Sequence, residues 1–222
     1  PQEFSHQKII SGSVFFPEGV ELRRDFLYQN LYAIWKFPQK SIFGWQCSFE
    51  TTEIHCVPEK NDVWSKTYEI YNWVIDFLEY GNPILGLYSA REAKEKKCVD
   101  CGGFASLFVE KCIEEGIQAR IAVGFWTTKS LHAMHAWAEF FSTEGKWIPV
   151  DPTVEKLRRA GRTKRQDGFG CIGEDRIILS VGSAIPIEVG EKKYTVQILQ
   201  NPILFQENEM EYLCGDFFVK NV

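Results

Sequence analysis

The segment from residue 61 to residue 150 most constrains how this chain can fold. Val63, Thr67, Ile70, Tyr71, Val74, Phe77 and Leu78 recur at helical spacing behind Asp62, which can cap, and Gly81-Asn82-Pro83 ends the pattern. A short stretch (84–88) and a charged segment (91–97) lead to a second helix that starts near Cys101. Phe104, Leu107, Phe108 and Cys112 form its apolar stripe, and Gly116 is a fitting stop. Three strand patterns follow at 119–126, 135–141 and 146–150. Two helices followed by three strands, with β-rich flanks, imply an α+β fold with a largely antiparallel sheet.

Residues 1–58 are rich in aromatic and β-branched residues and are broken by Gly12, Pro17, Pro38 and Gly44, so they read as short strands and turns. They are expected to form a β-rich N-terminal extension or small lobe packed on a catalytic domain at 59–222. Residues 154–176 read as a long loop, with further strands at 177–181, 194–199 and 217–219. With 222 residues, 45% of them hydrophobic, the chain can bury one substantial core. The net charge of −5 argues against nucleic acid as a partner. No apolar run is long enough to span a bilayer, and no signal peptide is visible at the start, so no membrane partner is expected. Seven cysteines leave at least one unpaired and are too few for a disulfide-held scaffold. The cytoplasm is the expected compartment, with a secreted or periplasmic mature chain as the alternative.

Cys101 precedes Gly102-Gly103 at the start of the second helix. Unpaired N–H groups and the positive end of the helix dipole gather there and favour a thiolate. The glycines would let a substrate approach the backbone. A nucleophile needs a base, and the base an orienting group. His135 opens one strand and Asp151 ends the next, with the turn-like Ser142-Thr143-Glu144-Gly145 between them. A hairpin centred on Thr143 would set 135 opposite 151, with Cβ atoms roughly 5 Å apart. The carboxylate would then hold one imidazole nitrogen and the other would face a thiol. A slip of one residue would separate the two faces.

Four blocks, in this order and spacing, resemble the transglutaminase-like superfamily, in its bacterial type: Cys101-Gly-Gly-Phe-Ala-Ser-Leu-Phe-Val, Glu115 to Phe125, His135-Ala-Trp-Ala-Glu, and Trp147-Ile-Pro-Val-Asp-Pro-Thr. The resemblance runs over about residues 60–185. It implies a papain-like core with a Cys101-His135-Asp151 triad and acyl transfer through a thioester. The expected activity is hydrolysis of amide bonds in a peptide or related polymer. Amine transfer to protein glutamine and a non-catalytic binding module are the alternatives. The resemblance calls for no metal or organic cofactor and implies a peptide or protein substrate.

An oxyanion donor beside the Cys101 N–H is less clear. Papain-type proteases place a donor Gln six residues before the nucleophile, where this chain has Glu95, which cannot donate when ionised. Trp64 is the candidate carried over from the larger transglutaminases, although Trp73 lies in the same helix and either can be core. Gly102, Trp137, Arg158 and Arg159 are candidate substrate contacts. The two arginines belong to the run from Lys156 to Arg165, with six basic residues in ten, read as a mobile loop able to attract an acidic substrate. Cys98 and Cys101 form a C-x-x-C and, with His132 and His135, suggest a zinc site, but the spacing is wrong for the familiar finger. The same pair could act as a redox dithiol, or Cys98 could form an inhibitory disulfide with Cys101 under oxidation.

Overall fold

A computed structural model of the chain describes residues 3–11, 15, 18–36, 46–128, 134–206 and 209–213. Five short strands open the chain: β1 (Gln7–Ile9), β2 (Glu21–Arg24), β3 (Leu31–Ile34), β4 (Phe49–Thr51) and β5 (Ile54–His55). Helix α1 (Asp62–Phe77), β6 (Glu79–Tyr80), α2 (Ala90–Lys96), β7 (Cys98–Val99) and α3 (Cys101–Glu114) follow. Next come β8 (Ala119–Trp126), β9 (Met134–Phe141), β10 (Trp147–Val150) and α4 (Pro152–Arg159). The remainder is β11 (Cys171–Ile172), β12 (Arg176–Val181), β13 (Ile185–Val189), β14 (Lys192–Val196), β15 (Ile203–Gln206) and β16 (Glu209–Tyr212). This is the expected α+β architecture. The strand expected at 217–219 lies outside the described residues.

Local sequence explains each helix. The Asn61 side chain, not Asp62, caps α1 by accepting from the Trp64 N–H at 2.8 Å. Helix α2 occupies the charged segment. Its signal is a capping box in which Ser89 and Glu92 bond each other's backbone N–H groups, and Lys97 ends it at φ 58°. Helix α4 replaces the first part of the expected loop. Asp151 caps it, Pro152 fills its first turn, and its basic residues lie toward its C-terminal end, where the dipole favours them.

The central sheet has the order β10-β9-β8-β12, antiparallel throughout. Alternation divides its faces. Ile121, Val123, Ala138 and Phe140 meet Phe104, Leu107 and Phe108 of α3 and Val74, Ile75 and Leu78 from α1 and its C-cap in the main core. Ala122, Trp137, Ile178 and Val181 form a second cluster, covered by Phe4 and Tyr28 from the N-terminal segment. Residues before 58 are thus tied to the sheet. The Gln7 amide exchanges hydrogen bonds with the Ile178 backbone at 2.8 and 2.7 Å, and Asn30 does the same with Val181 at 2.8 and 2.8 Å. Both amides satisfy the outer edge of β12, which would otherwise present unpaired backbone groups. Tyr32 and Ile34 pack on Ile185, Ile187 and Val196 in a separate buried cluster. Among the described residues, no helix is long and apolar enough to cross a membrane.

Strands β8 and β12 approach so closely at Gly124 that a Cβ there would lie 1.7 Å from the Ile177 carbonyl oxygen. Backbone cannot yield as a side chain does, so Gly124→Ala should destabilise the fold by about 3 kcal/mol or more. Urea unfolding measures this, and a midpoint within error of the wild type would contradict the packing.

Candidate active site

Cys101 is the first residue of α3, and Asp100 is its N-cap. The Asp100 carboxylate accepts from the Gly102 N–H at 3.0 Å and the Gly103 N–H at 3.3 Å. These are two of the N–H groups expected to stabilise a thiolate, and here an anion already takes them. Burial, then the Asp100 carboxylate, pushes the Cys101 thiol up to about 12, against the opposing pull of the Ala136 and Gly102 N–H groups. The helix N-terminus therefore does not lower this thiol by itself. A thiolate here depends on a counter-charge from outside the helix.

The backbone N–H of Ala136, the neighbour of His135, reaches the thiol. His135 Nε2 lies 2.6 Å from Asp151 Oδ2, both residues being buried. The hairpin register differs from the expected one. Val150 pairs with Ala138 and Trp147 with Phe141, so continuing the ladder sets 151 opposite 137. The offset is two residues, which preserves the face, and His135 meets Asp151 diagonally. Ring packing fixes the imidazole. Trp126 lies 4.6 Å away at 31°, and Trp137 lies 5.9 Å away at 24°. Gln200 donates to the carbonyl oxygens of His135 and Gly124, at 3.1 and 2.8 Å.

Asp151 uses both oxygens. Oδ1 accepts the Val154 N–H at 3.1 Å as the cap of α4, and Oδ2 faces His135 and, at 2.9 Å, Arg176 Nη1. Burial alone would raise its pKa, but the charges of His135 and Arg176 and their hydrogen-bonded surroundings hold it at about 2. Arg176 itself is fully buried and bridges to Asp167, which also pairs with Arg165, and Arg165 pairs with Asp175. The Arg176 guanidinium stacks 4.2 Å from the Trp126 ring. Sequence reasoning missed Arg176. The only hint was a cation opening an otherwise apolar strand.

The other candidates fall elsewhere. Gly102 is buried, and a Cβ on it would meet Leu87 Cδ1 at 2.9 Å and Asp100 Oδ1 at 3.2 Å, so it serves helix packing rather than substrate approach. Trp137 is fully buried between His135 and Arg176 and presents no exposed surface. Arg158 pairs with Glu155, and Arg159 with Glu155, Asp76 and Asn72. These cations are spent within the fold because they sit on a helix that packs on α1, not on a loop. The Trp64 ring packs edge-on against Phe140 and Phe169, at 5.9 and 5.2 Å. It also lines an apolar groove of about 480 Å³ with Cys56, Pro58 and Tyr68. Its ring partners make it aromatic core. Trp73 stacks on Phe77 at the outer side of α1. His132 of the zinc reading lies outside the described residues.

Two outcomes follow from these charges. Asp100→Asn keeps a capping oxygen but removes a carboxylate that raises the thiol, so the pH profile of Cys101 alkylation by iodoacetamide should move to lower pH; an unchanged profile would remove Asp100 from the account. Asp151 has a pKa of about 2 against its ordinary 3.8. Its contribution to stability is therefore present above the ordinary value and lost as pH falls toward the lower one, amounting to about 2 kcal/mol. Urea unfolding from about pH 5 to about pH 2 should show this loss, and Asp151→Asn should flatten it. An undiminished slope in the variant would show that other groups carry it.

The transglutaminase-like superfamily core model matches residues 51–152, a segment that contains Cys101, His135 and Asp151. Among solved structures, Legionella pneumophila LapG aligns at 17% identity with a TM-score of 0.36, over 43% of this chain and 55% of LapG. The chain thus spans little more than half the length of that protein. A candidate cysteine protease from Cytophaga hutchinsonii aligns at 14% identity with a TM-score of 0.43, over 95% of this chain and 89% of its own. Calcium-bound LapG aligns at 17% identity with a TM-score of 0.38, over 64% of this chain and 75% of its own. No protein with a curated description matches the sequence. Over residues 51–152, a little under half of its length, the chain is similar to the transglutaminase-like superfamily.

Proposed function

We propose that the protein is a thiol hydrolase that cleaves amide bonds of a peptide or related polymer through an acyl-enzyme on Cys101. The observation that carries this reading is the buried 2.6 Å contact between His135 Nε2 and Asp151 Oδ2, next to a thiol at a helix N-terminus. Asp151 engages Nε2, so proton exchange with the thiol falls to Nδ1. The Cys101 proton passes to that nitrogen as Sγ attacks the carbonyl carbon, and the tetrahedral oxyanion meets the Cys101 N–H, which Asp100 leaves to the substrate. His135 then protonates the departing amine, and a thioester remains. A water molecule, deprotonated by His135, attacks the thioester, releasing the acid and restoring the thiol. Asp151 stays ionised throughout, since its pKa is held at about 2. With burial and Asp100 both opposing the thiolate, the imidazolium is the group that makes the nucleophile.

A panel of fluorogenic peptide amides tests this. Cys101→Ser should lose at least about 10⁴-fold in kcat/KM, and Asp151→Asn about 10³- to 10⁴-fold through loss of the correct tautomer. Mass-spectrometric mapping of iodoacetamide adducts supplies a substrate-free readout. Rapid alkylation of Cys101 near neutral pH should disappear in His135→Ala. Alkylation unaffected by that substitution, or turnover surviving Cys101→Ser, would sink the reading.

A further inference from the structure

Among the described residues, one cluster away from Cys101 brings three metal-ligating side chains together, and the backbone places them. Strands β5 and β11 pair antiparallel with His55 directly opposite Cys171. Opposed residues share a face, with Cβ atoms about 5 Å apart. Glu53, just before β5, reaches the same side through its contact with His55. Cys171 Sγ lies 3.2 Å from His55 Nδ1 and 3.9 Å from Nε2, while Glu53 Oε1 lies 2.7 Å from Nε2. One donor atom from each residue lies within 4.8 Å of the others.

We propose that Glu53, His55 and Cys171 form a binding site for a zinc-class divalent ion, with a fourth position open to solvent. Tetrahedral zinc, with bonds of about 2.0–2.3 Å, sets its donors roughly 3.3–3.6 Å apart. The separations from Nε2, 2.7 and 3.9 Å, straddle that range. Glu53 and His55 are exposed, and reaching that range opens the Nε2–Oε1 separation by about 0.6–0.9 Å and closes the Nε2–Sγ one by about 0.3–0.6 Å. A thiolate, an imidazole and a carboxylate suit zinc, whereas calcium and magnesium take oxygen donors. Sulfur ligates zinc as a thiolate, so the ion enters by displacing a proton from Cys171.

The site sits behind the triad without touching it. The Cys171 carbonyl accepts the Gly168 N–H at 3.1 Å, and the Gly168 carbonyl accepts the Asp151 N–H at 2.5 Å. An ion linking 53–55 to 171 braces the segment on which Asp151 rests.

The full chain, freed of metal with EDTA, is titrated with Co(II), whose thiolate charge-transfer absorption reports sulfur ligation, and then with zinc. The proposal expects saturation near one equivalent in wild type and in Cys101→Ser, displacement by zinc, and loss of the band in Cys171→Ser. His55→Ala should bind at least tenfold more weakly. Absence of a thiolate band overturns the proposal. So does a band that survives Cys171→Ser, including one that disappears instead with Cys101→Ser, which would put the ion on the Cys101 thiol.

Discussion

The Asp151 carboxylate is the constraint on which the rest of this structure depends. A fully buried carboxylate is costly unless charge and hydrogen bonds surround it. Three separate elements supply them: His135 from the start of β9, Arg176 from β12, and the Val154 N–H from the first turn of α4. Each partner fixes a piece of chain. The cap sets where α4 begins, the ion pair sets where the edge strand β12 lies along β8, and the imidazole contact sets the diagonal register of the hairpin. The site and the sheet are therefore one problem for the fold, not a site grafted on a finished scaffold.

At Cys101, burial and one anion oppose the ionisation that the helix geometry favours. Asp100 occupies N–H groups at the helix start and, together with burial, holds the thiol protonated. The same carboxylate also accepts the Ile84 N–H at 3.0 Å, so it fastens the loop before α2 to the start of α3. Its structural duty explains why it persists beside a sulfur whose ionisation it hinders. In the proposed mechanism, stabilisation of a thiolate is left to the imidazolium, and Asp151 in turn favours that charged form.

Much of this was legible in the sequence. Strand β8 was readable to the residue, because seven of its eight positions, all but Arg120, carry β-forming or small side chains between clear turns. Helices α1 and α3 followed from apolar spacing. Helices α2 and α4 were written in local signals, Ser89 with Glu92 and Asp151 with Pro152, which charge-rich composition masked. The hairpin register was off by two because the turn geometry around Ser142 to Lys146 decides it, and composition does not fix a turn type. Because the error was even, the faces survived it. Arg176 was hidden for a different reason. Its meaning depends on Asp151 and Asp167, and no linear pattern links a cation to carboxylates from other elements. The basic run misled for the same cause, since the partners of Arg159 lie on α1.

The position of Arg176 also separates two spans that are easily equated. The matched family segment ends at residue 152, yet the counter-ion of Asp151 and the strand that closes β8 come afterwards, and Gln7 and Asn30 cover that strand from the opposite end of the chain. A fragment cut to the recognised segment would hold Cys101, His135 and Asp151. It would also leave an aspartate buried without its cation and the edge of β8 open to pairing with other molecules. In this molecule the portable unit is therefore longer than the recognisable one. The stretches outside the recognised segment are what keep Asp151 paired and the edge of β8 covered.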